Sequence, residues 1–162
     1  MLRDYHHIAD EALIRNSAAA QGWDDALEEL ARPLHEALYE LQTFDLLDSL
    51  STFERLILSF DYVRMQVGQG GFIQLIQNGY VSLLVSVIES AQSLNLPPTL
   101  IKTLDDALRV FVLNNEALSR GTTPQEFARL YIEYQEFEAL DAAFMDQLPE
   151  FMQQIVLYGL TT

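Results

Sequence analysis

Apolar residues recur every three or four positions along most of the chain, and no stretch alternates convincingly between apolar and polar positions. The first spacing is typical of one face of an α-helix, whereas alternation would indicate a half-buried strand. The clearest helical pattern places on one face Trp23, Leu27, Leu30, Leu34, Leu38 and Leu41. Pro33 lies inside this pattern. Because proline lacks a backbone N–H and clashes with the preceding turn, we expect it to kink or split this helix.

Two capping boxes indicate where helices begin. Ser51 and Glu54 form the first, and Thr123 and Glu126 form the second, with Pro124 at the first helical position. In this motif the Ser or Thr oxygen and the Glu side chain each accept a hydrogen bond from an otherwise free amide. We expect one helix from the first box to about residue 67 and another from the second box to about residue 143. In the first of these helices, the residues predicted to face inward are Leu56, Ile57, Phe60 and Val63.

The remaining segments predict further helices with short linkers between them. They cover about residues 4–16, 72–77, 81–94 and 98–114, and Pro149 opens a final helix that ends near residue 158. The first and fourth of these helices have apolar faces made by Ile8, Ala12 and Leu13 and by Leu104, Leu108 and Val112. The sequence therefore predicts an all-α fold, with a single compact domain over residues 1–162 and about seven or eight helices.

The charge balance restricts the classes of partner. The chain has 24 acidic residues against 9 Lys and Arg residues, for a formal net charge of -15. Nucleic acid and anionic lipid bind proteins through cations that displace their counterions, so a chain this negative repels both. A basic protein is instead attracted to it over long range at low salt. We therefore expect a basic protein partner, no direct nucleic-acid binding and no membrane binding.

The acidic residues are concentrated in two segments. Residues 24–48 hold eight acids and one base, and residues 126–150 hold seven acids and one base. Residues 49–125 are almost balanced, with six acids and five bases, whereas the acidity of a halophilic protein would cover the whole surface. The predicted partner-binding residues are Asp24, Asp25, Glu28, Glu29, Glu36, Glu40, Asp45, Asp48, Glu126, Glu133, Glu136, Glu138, Asp141, Asp146 and Glu150.

Part of the first segment forms a row. At about 100° per residue, Asp25, Glu29, Glu36 and Glu40 fall within about 60° of helical arc, opposite the apolar stripe. Carboxylates four residues apart lie about 6 Å apart along the axis, similar to the gap between neighbouring phosphates of DNA. Such a row can meet the Lys and Arg side chains that grip a DNA backbone. The alternative interpretation is a solvated acidic face that only maintains solubility.

The segment Val67-Gly68-Gln69-Gly70-Gly71-Phe72-Ile73-Gln74, followed by Asn78, carries a family resemblance. It resembles the Val-x-x-Gly-Gly-Phe-x-Gln signature, with an Asn four residues later, of the small helical bacterial DNA-mimic proteins known by the initials DMP. Gly68-Gln69 and Gly79 depart from that pattern, which often has Asn-Asn and Ser there. The resemblance implies a homodimer that occupies the DNA-binding surface of a transcription factor or nucleoid protein.

The residues of this motif have a structural interpretation of their own. Two adjacent glycines permit a tight turn between helices, Phe72 anchors the turn in the core, and Gln74 and Asn78 are placed to cap nearby backbone groups. A phosphate-binding loop is the rival interpretation. It is disfavoured because the segment lacks the P-loop Lys and Ser or Thr and no strand precedes it.

Catalytic or metal-binding motifs are not found. The chain has no cysteine, and its histidines are His6, His7 and His35. His35-Glu36 begins like a zinc-protease helix, but Tyr39 stands where the second histidine is needed. The adjacent His6 and His7 are expected to be exposed. No calcium-binding loop surrounds Asp24-Asp25 or Asp105-Asp106. We expect no enzyme activity and no cofactor.

The N-terminal residues lack the apolar core of a signal peptide, and no apolar run approaches the roughly 20 residues of a spanning helix, so we expect a cytoplasmic protein. The favoured function is a DNA mimic whose acidic surface blocks the DNA-binding site of a transcription factor or nucleoid protein. The alternative is a helical adaptor or immunity-type protein that binds through an apolar groove, with acidity serving only solubility.

Overall fold

The computed structural model describes residues 1–121 and 123–161, and all regular structure within these ranges is helical. Thr122 and Thr162, which the predicted domain includes, lie outside them. The helices are α1 (Glu11–Ala19), α2 (Trp23–Leu41), a 3₁₀ helix (Phe44–Ser49), α3 (Thr52–Gln77), α4 (Val81–Ser93), α5 (Pro98–Leu113), α6 (Asn115–Leu118), α7 (Pro124–Glu133) and α8 (Glu136–Leu160). The predicted all-α class is confirmed, with seven of these nine helices in the described ranges reaching seven residues or more.

α3 lies at the centre of the packing. It contacts α2, α4 and α8, and α8 also packs against α2 and α5. The rings of Phe60 and Phe151 stack with their centroids 4.5 Å apart, and Phe72 lies near Phe137 and Phe144. Phe60 of α3 packs on Phe151 of α8, whereas Phe72, further along α3, packs on the earlier residues Phe137 and Phe144. The two helices therefore run antiparallel. Aromatic packing between them forms the middle of the core.

Both predicted capping boxes are present. Ser51 Oγ accepts from the Glu54 N–H at 3.2 Å while Glu54 Oε1 accepts from the Ser51 N–H at 3.1 Å. Thr123 and Glu126 make the same pair of hydrogen bonds at the start of α7. The predicted inward residues of the first half of α3 are all buried. These two helix starts are therefore local features that the sequence predicts directly.

Two prolines lie inside continuous helices. α2 is continuous through Pro33, so this residue does not split it. The prediction that Pro149 opens a final helix is wrong, because Pro149 lies inside the unbroken α8. Buried Phe144 and Phe151, on either side of Pro149, hold one continuous helix against the core, and this packing outweighs the lost hydrogen bond. The break falls earlier, at Tyr134, where ψ is 63°.

Three predicted apolar faces include exposed residues. α1 begins only at Glu11, because Asp10 caps it by accepting from the Leu13 N–H at 3.0 Å. Ile8 consequently precedes the helix and is 93% exposed, and Ile14 is the buried residue of α1. The other exposed residues of these faces are Ala12, Leu13, Leu41 and Val112.

The Gly-Gly motif bends α3. Gly70 and Gly71 have non-helical dihedrals, and Gly71 has φ +76°, a conformation that side chains rarely adopt. A Cβ at Gly71 would also collide with the Asp141 carboxylate and the Tyr131 hydroxyl. Phe72, the next residue, is fully buried. The predicted glycine turn with a buried Phe72 is therefore confirmed.

The polar residues of the motif act differently from the prediction. The side-chain amides of Gln74 and Asn78 donate to Gln66 Oε1, at 3.2 and 2.8 Å, rather than capping the backbone. Gln66 precedes the bend and its two partners follow it. This amide cluster therefore joins the two parts of α3 across the bend.

Within the described residues, no single helix is long and apolar enough to cross a membrane. α3 and α4 pass such a test only as a pair, across a bend of 111°.

Candidate partner-binding surface

The acidic row of the first segment lies on one unbroken helix. α2 buries Ala26, Leu27, Leu30, Ala31, Leu34 and Leu38 on its inner side. Asp25, Glu36 and Glu40 are exposed on the outer side, whereas Glu29 is half-buried and forms an ion pair with Arg32. Because α2 continues through Pro33, these carboxylates keep their helical spacing along its length.

The short helix after α2 extends the acidic segment. Thr43 Oγ1 caps it by accepting from the Asp45 N–H at 3.2 Å, and Leu46 is buried beneath it. The side chains of Asp45 and Asp48 are exposed on either side of this anchor. Asp24 and Glu28, on α2, are also exposed. Seven of the eight acids of residues 24–48 are therefore exposed.

The second acidic segment divides between α7 and the first part of α8. Glu126 and Glu133 are exposed on α7, and Glu126 is engaged in the capping box. The exposed acids of α8 in this segment are Glu136, Glu138, Asp146 and Glu150.

Asp141 differs from the other predicted acids. It is half-buried, and its Oδ1 accepts from the Phe72 N–H at 2.9 Å. Burial raises the pKa of Asp141 above its ordinary value, the Phe72 hydrogen bond lowers it, and the nearby charge of Glu138 raises it further, with a net upward shift. This side chain therefore has a structural partner inside the protein.

The structure brings the two acidic helices together. α2 packs directly against α8. Glu28 of α2 lines a surface depression with Arg64 and Met65 of α3, and Phe72 of α3 contacts Phe137 of α8. The N-terminal parts of α2 and α8 therefore lie near the same stretch of α3.

The basic residues do not neutralise these acids. Most pair locally with acids elsewhere, as in Arg15–Glu11 at 3.3 Å, Lys102–Asp106 at 2.6 Å and Arg109–Asp105 at 3.1 Å. Of the fifteen predicted acids, Glu29 alone forms an ion pair with a described residue. The acids that are exposed and have neither an ion pair nor a side-chain hydrogen bond within the described ranges are Asp24, Asp25, Glu28, Glu36, Glu40, Asp45, Asp48, Glu133, Glu136, Glu138, Asp146 and Glu150.

Two buried acids outside this surface have structural roles. Glu54 Oε2 accepts from the His6 and His7 N–H groups and contacts His7 Nδ1 at 2.7 Å. Burial raises the pKa of Glu54, but these hydrogen bonds, with those from Ser51, hold it below its ordinary value. The expectation that His7 is exposed is wrong, because the N-terminal segment folds back over the start of α3 and leaves it half-buried.

The second buried acid, Asp61, joins α2 to α3. Its Oδ2 lies 2.5 Å from His35 Nε2, and its Oδ1 accepts from Arg64 Nε at 2.5 Å. Burial raises the pKa of Asp61, but the His35 hydrogen bond and the Arg64 charge hold it below its ordinary value. This cluster fixes His35 internally, at the edge of the acidic row.

A cleft of about 720 Å³ lies beside the row, between the end of α2, the 3₁₀ helix and α3. Its walls include Glu36, Tyr39, Glu40, Phe44 and Tyr62. Sequence reasoning did not identify this cleft. The available signal was Tyr39, an aromatic residue between two acids on the polar face of α2, which is 80% exposed.

Within the described part of the chain, no group of three or more His, Asp or Glu side chains is arranged to hold a metal ion. The feature of this site with chemical consequences is the charged surface itself, where closely spaced carboxylates produce a negative potential.

The comparisons with known proteins agree with this class of surface. Residues 48–158 match the family model described as DMP19-like protein, so the chain belongs to the DMP19-like protein family. The family name is that of a DNA mimic, and membership implies a DNA-mimic type of protein with a protein partner. The family is not known as enzymatic. No curated protein matches the chain.

Proposed function

We propose that this protein imitates duplex DNA and occupies the DNA-binding site of a transcription factor or nucleoid-associated protein. The observation that carries the proposal is that most of the predicted acids form no ion pair with a described residue. Twelve of the fifteen predicted acids are exposed without a described partner, while most of the cations outside the two acidic segments pair with acids close to them in sequence. Their negative potential therefore remains available to a basic protein.

The row on α2 fits the spacing that a DNA-binding protein recognises. Glu36 and Glu40 are one helical step of four residues apart, about 6 Å along the axis, and Asp25 extends the row to about 22 Å. This length is similar to several successive phosphates along one strand. We propose that partner Lys and Arg side chains that normally contact phosphates contact these carboxylates instead.

The helix stability lost through like charges in the acidic row supports a role for the row beyond solubility. Like charges four residues apart on a helix cost a few tenths of a kcal/mol per pair. The chain has cations with which to neutralise the row, and in α2 Arg32 does so only for Glu29. We infer that the unpaired acids contribute to binding. Glu29, Glu126 and Asp141 are not among the principal contacts, because each has an internal role.

Three further proposals accompany the function. The Val-x-x-Gly-Gly-Phe-x-Gln segment is a signature of the family, the protein acts as a homodimer, and it acts in the cytoplasm beside its target. A dimer doubles the length of acidic surface offered to a two-fold symmetric DNA-binding protein. Sedimentation equilibrium tests this point, since the proposed dimer has twice the 18.4 kDa chain mass.

The alternative function is a helical adaptor that binds an apolar segment of its partner. The cleft beside Tyr39 and Phe44 is the observation that favours it, because exposed aromatic residues are common at the centres of interfaces. Apolar binding persists or strengthens at molar salt, whereas DNA mimicry weakens steeply with salt.

Affinity capture from native lysate tests the proposed function. The wild-type chain is compared with Glu36→Lys/Glu40→Lys and with the matched control Glu89→Lys/Glu116→Lys, which changes the net charge equally outside the acidic segments. We expect wild type and control to retain a DNA-binding protein that competitor DNA releases, and the first variant to lose it. Equal retention by all three proteins contradicts the proposed surface.

A further inference from the structure

We propose that the cleft beside the acidic row receives an arginine side chain of the partner. The proposal rests on the proposed function, because it identifies one specific contact within the DNA-mimicking surface. The cleft would be a defined pocket on a surface otherwise made of separate carboxylates. Its occupant would be a planar cation rather than an apolar segment.

The cleft has room for a long side chain. Its volume is about 720 Å³, and it opens to solvent between the end of α2 and α3. Leu38 forms part of its floor and is buried, while Gln42 and Thr43 contribute polar wall atoms. An arginine side chain has an apolar stem and a polar end, so it can use both kinds of wall.

Aromatic rings provide the surface on which a guanidinium stacks. Three of the rings that line the cleft are Phe44, Tyr62 and His35: Phe44 contacts Tyr62 edge-on, with ring centroids 5.5 Å apart, and the His35 ring lies 5.2 Å from Tyr62. Tyr39, which lies on α2 like His35, is the fourth aromatic side chain of the cleft and is 80% exposed. Cations bind the faces of aromatic rings, and arginine does so more often than lysine.

The charge of the cleft selects a cation. Glu36 and Glu40 line it, and neither has an ion-pair partner among the described residues. No Lys or Arg belongs to its walls, and His35 is held by Asp61. The adjacent depression shares Glu36 with the cleft, but its walls also include Arg32 and Arg64, whose positive charges offset the acids there. A guanidinium can stack on an aromatic ring while it donates to a carboxylate, which a lysine ammonium does less well.

A titration with small probes tests the cleft without any partner protein. The probes are capped Gly-Arg-Gly, capped Gly-Lys-Gly and capped Gly-citrulline-Gly, and the readout is the amide NMR spectrum of the full chain. We expect the arginine peptide to shift signals of residues 36–44 and 62, the lysine peptide to bind more weakly, and the citrulline peptide to give no localised shifts. Equal shifts with citrulline, or arginine shifts spread evenly over α2 and α8, overturn the proposal.

Two substitutions of Tyr39 separate ring stacking from apolar burial. Tyr39→Leu removes the aromatic face, and we expect about threefold weaker arginine binding, the size of an exposed cation–π contact. Tyr39→Phe keeps the face and is expected to bind as wild type does. Glu40→Gln should also weaken binding, unlike the control Glu89→Gln on α4. If Tyr39→Leu binds the arginine peptide as tightly as wild type, the proposed stacking is wrong.

The outcomes for the cleft and for the proposed function are distinguishable. If the peptide does not bind but charge reversal at Glu36 and Glu40 abolishes partner capture, DNA mimicry stands and the cleft proposal fails. If the peptide binds in the cleft but DNA does not compete with the captured partner, the cleft stands and DNA mimicry fails.

Discussion

The backbone N–H of Phe72 donates a hydrogen bond to Asp141 Oδ1 at 2.9 Å, joining the bend of α3 to α8. Phe72 is fully buried, so without Asp141 its N–H would lack a partner in the core. The Gly-Gly-Phe motif and one acid of the second segment therefore form a single structural unit. It orients the part of α8 that carries the exposed acids Glu138 and Asp146.

Replacing Asp141 tests this unit. We expect Asp141→Ala to lower the free energy of unfolding by about 1–2 kcal/mol, because a buried donor loses its acceptor. Asp141→Asn keeps an acceptor and removes a charge whose pKa is raised by burial, so at neutral pH we expect stability equal to or above wild type. Urea unfolding at pH 7 measures both. Equal losses for the two variants would show that the hydrogen bond is not the cause.

Gly71 and Gly68 offer a matched pair of substitutions. At Gly71, with φ +76°, a Cβ would meet the Asp141 carboxylate and the Tyr131 hydroxyl, so we expect Gly71→Ala to cost at least about 2 kcal/mol. A Cβ at Gly68 meets nothing within 4 Å, and we expect Gly68→Ala to stabilise α3 by up to about 1 kcal/mol. Thermal unfolding distinguishes them, and a stable Gly71→Ala variant contradicts the described bend.

The outcome at each helix start and bend shows which parts of the fold are locally encoded. The Ser51 and Thr123 capping boxes and the Gly70-Gly71 bend depend on neighbouring residues, and the sequence predicted them. The prediction that a helix starts at Pro149 was wrong because packing of Phe144 and Phe151 in the core keeps α8 helical through this residue. Such packing depends on α3, which no local pattern of α8 reveals.

Acid should unfold the protein through Glu54. Its pKa is lowered in the folded state, so its contribution to stability is present above the ordinary value of 4.5 and is lost as pH falls through the folded-state value. We expect the free energy of unfolding to fall below about pH 4.5 and to do so less steeply in Glu54→Gln. Glu116→Gln, at an exposed position, is the control and should follow wild type. Parallel pH profiles for all three proteins contradict this role.

The unpaired row should destabilise the free protein. Glu36→Gln and Glu40→Gln each remove like-charge repulsion on α2, and we expect each to raise the free energy of unfolding by a few tenths of a kcal/mol at low salt. High salt should erase the gain because it screens exposed charges. Denaturant unfolding at two salt concentrations measures the change in the free energy of unfolding. A loss of stability in both variants at low salt would contradict the view that the carboxylates of the row repel one another without internal cations to offset them.

Only part of the acidic surface could be predicted from the sequence. Counting located the two segments, and the helical period identified the row at Asp25, Glu29, Glu36 and Glu40, because these follow from composition and from one helix. The internal bond of Asp141, the Glu29–Arg32 pair and the cleft beside Tyr39 depend on side-chain geometry or on contacts between helices. These contacts decide which acids remain available to a partner.

Competition with DNA tests the central claim most directly. The DNA-binding protein recovered by capture is mixed with a fluorescent duplex that it binds, and the wild-type chain or Glu36→Lys/Glu40→Lys is titrated in while anisotropy is recorded. DNA mimicry predicts that wild type displaces the duplex, less effectively as salt rises, and that the variant does not. A complex in which the partner holds the duplex and this protein together would contradict the account.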